Sequence, residues 1–239
     1  MALQIQTSTD FNPSAVTFSK LRKNRNGGKA VYINGLKNKK LHIQLPFMRA
    51  PFGLSSFTDE ATKRTSYSLD LSFDPSDEVS EDLQKKLEAL DEVILNEVIK
   101  NSKEWLGKSY NKSVAKEALY KPLVRPGKES YPATVKVKVQ TDPGSGKFTP
   151  MAYNMQQSEI PLDSIEKGQK AMCIVDVNQI WFIDNKFGVS LRLQQVLVEP
   201  SKKLPAFAFQ GVDTGNADID ADDAEEEEEE EEFEEEEDA

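Results

Sequence analysis

Cations interleaved with aromatic rings are the residues of this 239-residue chain best suited to chemistry. Nine bases occupy the first 52 residues, namely Lys20, Arg22, Lys23, Arg25, Lys29, Lys37, Lys39, Lys40 and Arg49, against Asp10 alone, and Phe47 and Phe52 flank Arg49. Further along, Lys136 and Lys138 alternate with valines, and Arg192 lies between leucines. Cations in such numbers track phosphates while flat rings stack on unpaired bases, so the pattern predicts a groove for a single-stranded nucleic acid if the fold gathers these residues into one stripe. Each residue taken singly is equally compatible with a plain role: exposed lysines decorate most surfaces, and Phe47, Phe52 or Trp181 fits a core as well as a groove. The weight lies in the sum.

Other chemistries lack their residues. With one histidine and one cysteine, the chain has no set for a zinc site, a histidine-based triad or a Cys-His pair. His42 lies on the alternating face of a strand pattern, where a surface or hydrogen-bonded role is expected, and Cys173 sits among Ala171, Met172, Ile174 and Val175 as a small buried hydrophobe. Gly144-Ser145-Gly146-Lys147 and Gly107-Lys108-Ser109 lack the glycine five residues upstream that a phosphate-cradling loop requires, and Phe148 stands where a magnesium-binding hydroxyl belongs. The carboxylate pairs Asp59-Glu60 and Asp77-Glu78 fall in charged loops. No enzyme, no cofactor and no metal is expected. A single cysteine rules out an intrachain disulfide, and no apolar run approaches a membrane span, which predicts a soluble protein of a reducing, intracellular compartment.

The formal net charge of −11 conceals a division. Eighteen of the 41 acids lie from Gly211 onward, where no base occurs, leaving 23 acids against all 30 bases, a net of +7. A basic body thus carries a tethered polyanion, which repels itself into an extended, disordered segment and is drawn to any positive surface on its own chain. Phe233 is the single aromatic within the glutamate run.

The elements that must position the basic residues read as strands around one helix. Period-two alternation predicts strands over 16–20, 30–33, 41–45 and 65–74, the last with Tyr67, Leu69, Leu71 and Phe73 on one face. The stretch 46–54, with Pro46, Pro51 and Gly53 among apolar residues, reads as a loop. Leu83, Leu87, Leu90, Ile94, Val98 and Trp105 recur at helical spacing and predict a helix over 81–106, capped by Ser80 and stopped by Gly107. A short helix over 113–120 follows. Strands are predicted over 134–140, in a hairpin with 148–153, and over 171–177, 180–184 and 189–198. Strands, a long helix, then more strands at short spacing predict a mainly β protein with one long helix, an OB-fold-like Greek-key barrel with extra strands. The expected organisation is a basic N-terminal segment over 1–28, the barrel domain over 29–200, and a linker with a disordered acidic tail over 201–239.

Tyr67 to Pro75 (YSLDLSFDP), the helix ending in Trp105, Tyr131-Pro132 before a lysine-alternating strand, and Ile180-Trp181-Phe182 with Gly188 and the final strand resemble the OB-fold single-stranded-DNA-binding proteins of nucleocytoplasmic large DNA viruses. The tail is similar to those of phage and bacterial single-strand-binding proteins, although Phe233 is six residues from the end rather than terminal. The resemblance implies an accessory protein that coats single-stranded DNA in replication, self-associating on it. Its tail would occupy the empty groove and recruit replication proteins through Phe233, in a host nucleus or a cytoplasmic viral compartment. A histone chaperone or an acidic-tailed replication scaffold is the rival expectation. RNA as ligand stays open, as does a nuclear-signal role for residues 20–25.

Overall fold

The computed structural model describes residues 4–23, 27–201 and 210. The chain divides into two units, Met1–Lys202 and Lys203–Ala239, and the architecture is that of the first. Arg25, Phe233 and the acidic tract lie outside the described residues.

Five strands close into a ring. We label them β1 (Leu41–Arg49), β2 (Thr65–Ser72), β3 (Thr134–Val139), β4 (Lys170–Ile183) and β5 (Lys186–Val198). β1 meets β2 antiparallel at Arg49 and Ser72, β2 pairs antiparallel with β3, and β3 pairs parallel with β5. β5 pairs antiparallel with β4, and β4 returns antiparallel to β1. This Greek-key closure, with the third and fifth strands parallel, is an OB-fold-like barrel. Because side chains alternate along a strand, register decides which residues share a face. Leu69, Val137, Leu191, Val177 and Leu41 are linked partner to partner around the ring and are all buried in its interior. The adjacent row, Ser68, Lys138, Arg192, Asp176 and His42, faces the other way.

Between β2 and β3 the chain forms α1 (Glu78–Lys100), whose Leu83, Leu87, Leu90, Ile94 and Val98 are fully buried in the same core. Burial of each is worth about 1.5–3 kcal/mol. The cap differs from expectation: Asp77 accepts from Val79 N at 3.1 Å, while Ser80 lies inside the first turn and its hydroxyl accepts from Asp74 N at 2.9 Å. An aspartate two residues after Pro75 starts the helix one turn earlier than the apolar periodicity suggests. The helix also breaks at Asn101, and a separate turn, Ser102–Trp105, runs on toward Gly107, which takes a positive φ of 85°.

Three further expectations are corrected. Pro46 and Phe47 belong to β1 and not to a loop, because Leu45 and Pro46 together oppose Cys173 in a β-bulge, where a proline's missing N–H costs no ladder bond. β4 is one continuous strand rather than two, interrupted by a bulge at Asn178 and Gln179. The hairpin expected after β3 forms only at its tip, where Thr141 pairs antiparallel with Phe148 and Thr149 N donates to the Gln140 carbonyl at 2.9 Å; both edges of β3 are paired further along, and Met151–Asn154 adds parallel to the far end of β5. His42, expected at the surface or in a hydrogen bond, is buried beside Asp176 in register. Burial pushes the Cys173 thiol up to about 12, as befits an inert core residue.

Around the ring, Ile5–Thr7 adds parallel to β1, Lys29–Asn34 adds antiparallel to β4, and Leu54–Thr58 folds back on β2. Among the described residues no helix is long and apolar enough to cross a membrane. Since Leu87 is wholly buried, Leu87→Ala is expected to cost about 2–5 kcal/mol of stability, read as a lowered urea midpoint at unchanged slope.

Candidate nucleic-acid interface

β3 and β5 touch through only two residue pairs, Val137 with Leu191 and Lys138 with Arg192. Beyond these they diverge, and residues 120–126 enter the gap. Tyr120–Lys121 pairs with Phe187 and Gly188 of β5, and Val124–Arg125 pairs with Val135 and Thr134 of β3. This strap, with the outer faces of β3, β4 and β5, bounds a groove of about 500 Å³ lined by Lys121, Arg125, Lys136, Lys138, Trp181 and Ser190.

Register explains the convergence. Lys136 and Lys138 point outward because Val135, Val137 and Val139 fill the core. Arg192 is the direct partner of Lys138. Trp181 faces outward only because of the β4 bulge: without the extra residue, alternation from Val175 and Val177 would turn the indole inward. Its partner Gly188 makes room for it. A Cβ built at Gly188 would lie 2.7 Å from Trp181 Cζ2 and 2.8 Å from the Lys121 carbonyl oxygen, so only glycine lets the ring lie across β5 against the strap.

The groove is strongly cationic. Partial desolvation, then the charges of Arg192, Arg125 and Lys136, push the Lys138 amino group below the ordinary lysine range. Lys136 is partly neutralised, 3.3 Å from Asp70 Oδ2 and donating to Ser68 Oγ at 3.4 Å. Arg192 is held in place by Asn178: with its amide oxygen turned toward the guanidinium, Asn178 accepts from Nε at 3.1 Å. Such a surface favours a polyanion, and the half-buried indole offers a stacking face within it.

The residues expected from sequence are dispersed more widely than one stripe. Lys136 and Lys138 line the groove, and Arg192 adjoins it as the register partner of Lys138. Arg22 joins its margin, in a row that runs Lys121, Gly188, Trp181, Ala30, Arg22, and its guanidinium lies 5.3 Å from the Tyr32 ring centre. Arg49 reaches the same outer face through the row Arg49, Ser72, Thr134, Arg125. Lys29 is diverted, donating to the Trp105 carbonyl at 3.2 Å, and Lys23 pairs with it across a short ladder. Lys20 is exposed ahead of that ladder, and Lys37, Lys39 and Lys40 ride a loop that leaves the sheet at Asn34 and re-enters at Lys40. Phe47 is half-buried in a separate cavity of about 340 Å³ that it lines together with Arg49, Lys170, Asp74 and Asp77, so Arg49 stands on the outer face but outside the groove. Phe52 is exposed in the turn after β1.

Sequence reasoning missed Lys121, Arg125 and Phe57. Lys121 and Arg125 each precede a proline, Pro122 and Pro126, a signature of extended chain that can display both cations from one edge. Phe57, 68% exposed, lies opposite Ser66 in the hairpin that lengthens β2, on the outward face shared with Ser68 and Lys138.

Among solved structures, the crystal structure of gp2.5, a single-stranded DNA binding protein encoded by bacteriophage T7, matches with a TM-score of 0.46 at 12% identity, covering 70% of this chain and 91% of that one. A C-terminal truncation of the single-stranded DNA-binding protein from bacteriophage Enc34 matches with a TM-score of 0.40 at 12% identity, covering 80% of this chain and 98% of that one. No curated protein matches significantly. One family model covers residues 68–211, from β2 through α1 and the strap to the end of β5, and so takes in every residue that lines the groove. The chain belongs to this family of unknown function, DUF5871.

Proposed function

We propose that this protein binds single-stranded DNA without sequence specificity, as a non-enzymatic factor of replication, recombination or repair. The observation that carries the reading is the convergence of Lys121, Arg125, Lys136, Lys138 and Arg192 around Trp181 on the outer face of the barrel. In OB-folds the face of the second and third strands, with the loops after the first and fourth, is where oligonucleotides lie. Here β2 and β3 supply Ser68, Lys136 and Lys138. The connection from β1 to β2, through its strand Leu54–Thr58, supplies Phe57, and the turn after β4 follows Ile183, which is 62% exposed. Phosphate neutralisation and base stacking are both indifferent to sequence.

The acidic tract completes the reading. Its 18 carboxylates provide a tethered competitor for the groove, displaced when a nucleic acid arrives, and Phe233 then serves as the anchor for a replication partner. The setting we infer is intracellular, a nucleus or a cytoplasmic replication compartment if the chain is of large-DNA-virus origin.

Trp105 is buried and Trp181 half-buried, so quenching of tryptophan emission by oligothymidine reports on the groove. Affinity is expected to fall with salt at a slope of about −0.7 per phosphate contacted, and Lys138→Glu to lower both affinity and slope without shifting the thermal midpoint. Trp181→Ala is expected to weaken binding by about 1–3 kcal/mol. Deletion of 211–239 is expected to strengthen binding; a truncated body inert toward oligonucleotides even at low salt would overturn the reading, and loss of histone binding on the same deletion would favour an acidic-tailed chaperone instead.

A further inference from the structure

The strap carries two of the four cations that line the groove, Lys121 and Arg125, and turns Tyr120, Leu123 and Val124 into the core. On its far side, between the strap and α1, lies a cavity of about 680 Å³, and Pro122 and Pro126 line both this cavity and the groove. Besides its short ladders to β3 and β5 and the packing of Tyr120 on Phe187, the strap is hydrogen-bonded by one side chain of α1. Asp91, on α1 and only 9% exposed, accepts from Leu123 N with both carboxylate oxygens at 3.1 Å, from Val124 N at 3.4 Å, and from the Tyr120 hydroxyl. All of these donors belong to the strap. A core carboxylate satisfied entirely by one flanking segment is a pin.

We propose that Asp91 is a positioning residue for nucleic-acid binding, pinning the strap so that Lys121 and Arg125 complete the groove, and that protonation of its carboxyl strengthens the pin and hence the affinity. This rests on the reading of the groove as the nucleic-acid site. Burial raises the Asp91 pKa to about 6 against the pull of the bonds from Tyr120, Leu123 and Val124, with the negative charge of Glu88 adding to the rise. The charged and titratable groups around it are Glu88 and Glu92 from its own helix, Lys112 and Lys116 from the turn before the strap, and Tyr120 from the strap. Both lysines are engaged with Glu92, at 2.7 and 2.6 Å, and neither bonds Asp91. If the strap lifts, Asp91 is hydrated and returns to the ordinary carboxylate range near 4. A group with the higher pKa in the pinned state favours that state at low pH. The pinned strap therefore gains as pH falls through about 6 and is costliest, though still bonded, at neutral pH.

The test is oligothymidine affinity of the full chain at fixed salt between about pH 5 and 7.5, with thermal midpoints measured alongside. Wild type is expected to bind several-fold tighter at the acid end. Asp91→Asn, which keeps an acceptor for the two N–H groups and donates to the Tyr120 oxygen, is expected to bind like acidic wild type and to lose that part of the pH dependence. Asp91→Ala leaves Leu123 N and Val124 N without their acceptor and is expected to bind about tenfold more weakly, as Lys121→Ala does. Tyr120→Phe removes a bond that favours the carboxylate and is expected to move the pH midpoint upward. An Asn variant with the wild-type pH profile, or an Ala variant that folds and binds normally, overturns the proposal while leaving the function intact. Wild type that fails to bind oligothymidine at any pH overturns both.

Discussion

Closure of the five strands in a single register is the constraint from which the groove follows. Once Leu69, Val137, Leu191, Val177 and Leu41 are linked around the ring to fill its interior, their neighbours Ser68, Lys138, Arg192, Asp176 and His42 have no freedom of face. Apolar burial drives the inner row, and the outer row is its geometric consequence. The cations of β3 and β5 are thus assembled by a hydrophobic core that none of them enters. Partial burial and then their mutual repulsion lower the affinity of Lys138 for its proton; Asp70 offsets part of the charge at Lys136, Asp176 lies in register with Arg192, and the remainder persists as a standing attraction for anions.

Departures from regular pairing then give the groove its remaining parts. The β4 bulge inverts the alternation and turns Trp181 outward, and the absence of a side chain at Gly188 receives the ring. The divergence of β3 from β5 after two pairs opens the gap that the strap fills, adding Lys121 and Arg125 to a face the barrel strands alone leave incomplete. Each device lies where the ladder is broken, which is where strand surfaces commonly acquire a site without dismantling the core beneath. α1 contributes from behind, by plugging the core with its leucines and by holding the strap through Asp91.

Much of this was legible in the chain. Thr65 to Phe73, Thr134 to Val139 and the Leu83 to Val98 periodicity each stand out because one face is buried and the other is not, so composition repeats with the backbone's own period. Lys136, Lys138 and Arg192 were accessible by the same logic. Arg22 and Arg49 reach the outer face by pairings no local pattern announces, while Lys29, in the same basic run, spends its charge on a helix-end carbonyl. The hairpin expected after β3 stops at its tip for a related reason: a turn at 142–147 directs the chain back and Thr141 pairs with Phe148, but the occupancy of β3's edges decides where Met151–Asn154 pairs.

The sequence by itself determined a mainly β body with one amphipathic helix, a net of +7 on that body against −18 beyond it, and a single histidine and a single cysteine, too few for a histidine-based triad or a Cys-His zinc site, because all of these are sums or short-range periodicities. Only the tertiary structure decided which cations share a groove, that Trp181 faces out, and that a proline-flanked strap completes the wall. Those facts depend on register, bulges and edge occupancy, many of them set by partners distant in the chain, such as Val137 with Leu191, Lys121 with Gly188 and Val177 with Leu41, and an alternating pattern carries no record of a distant strand's phase.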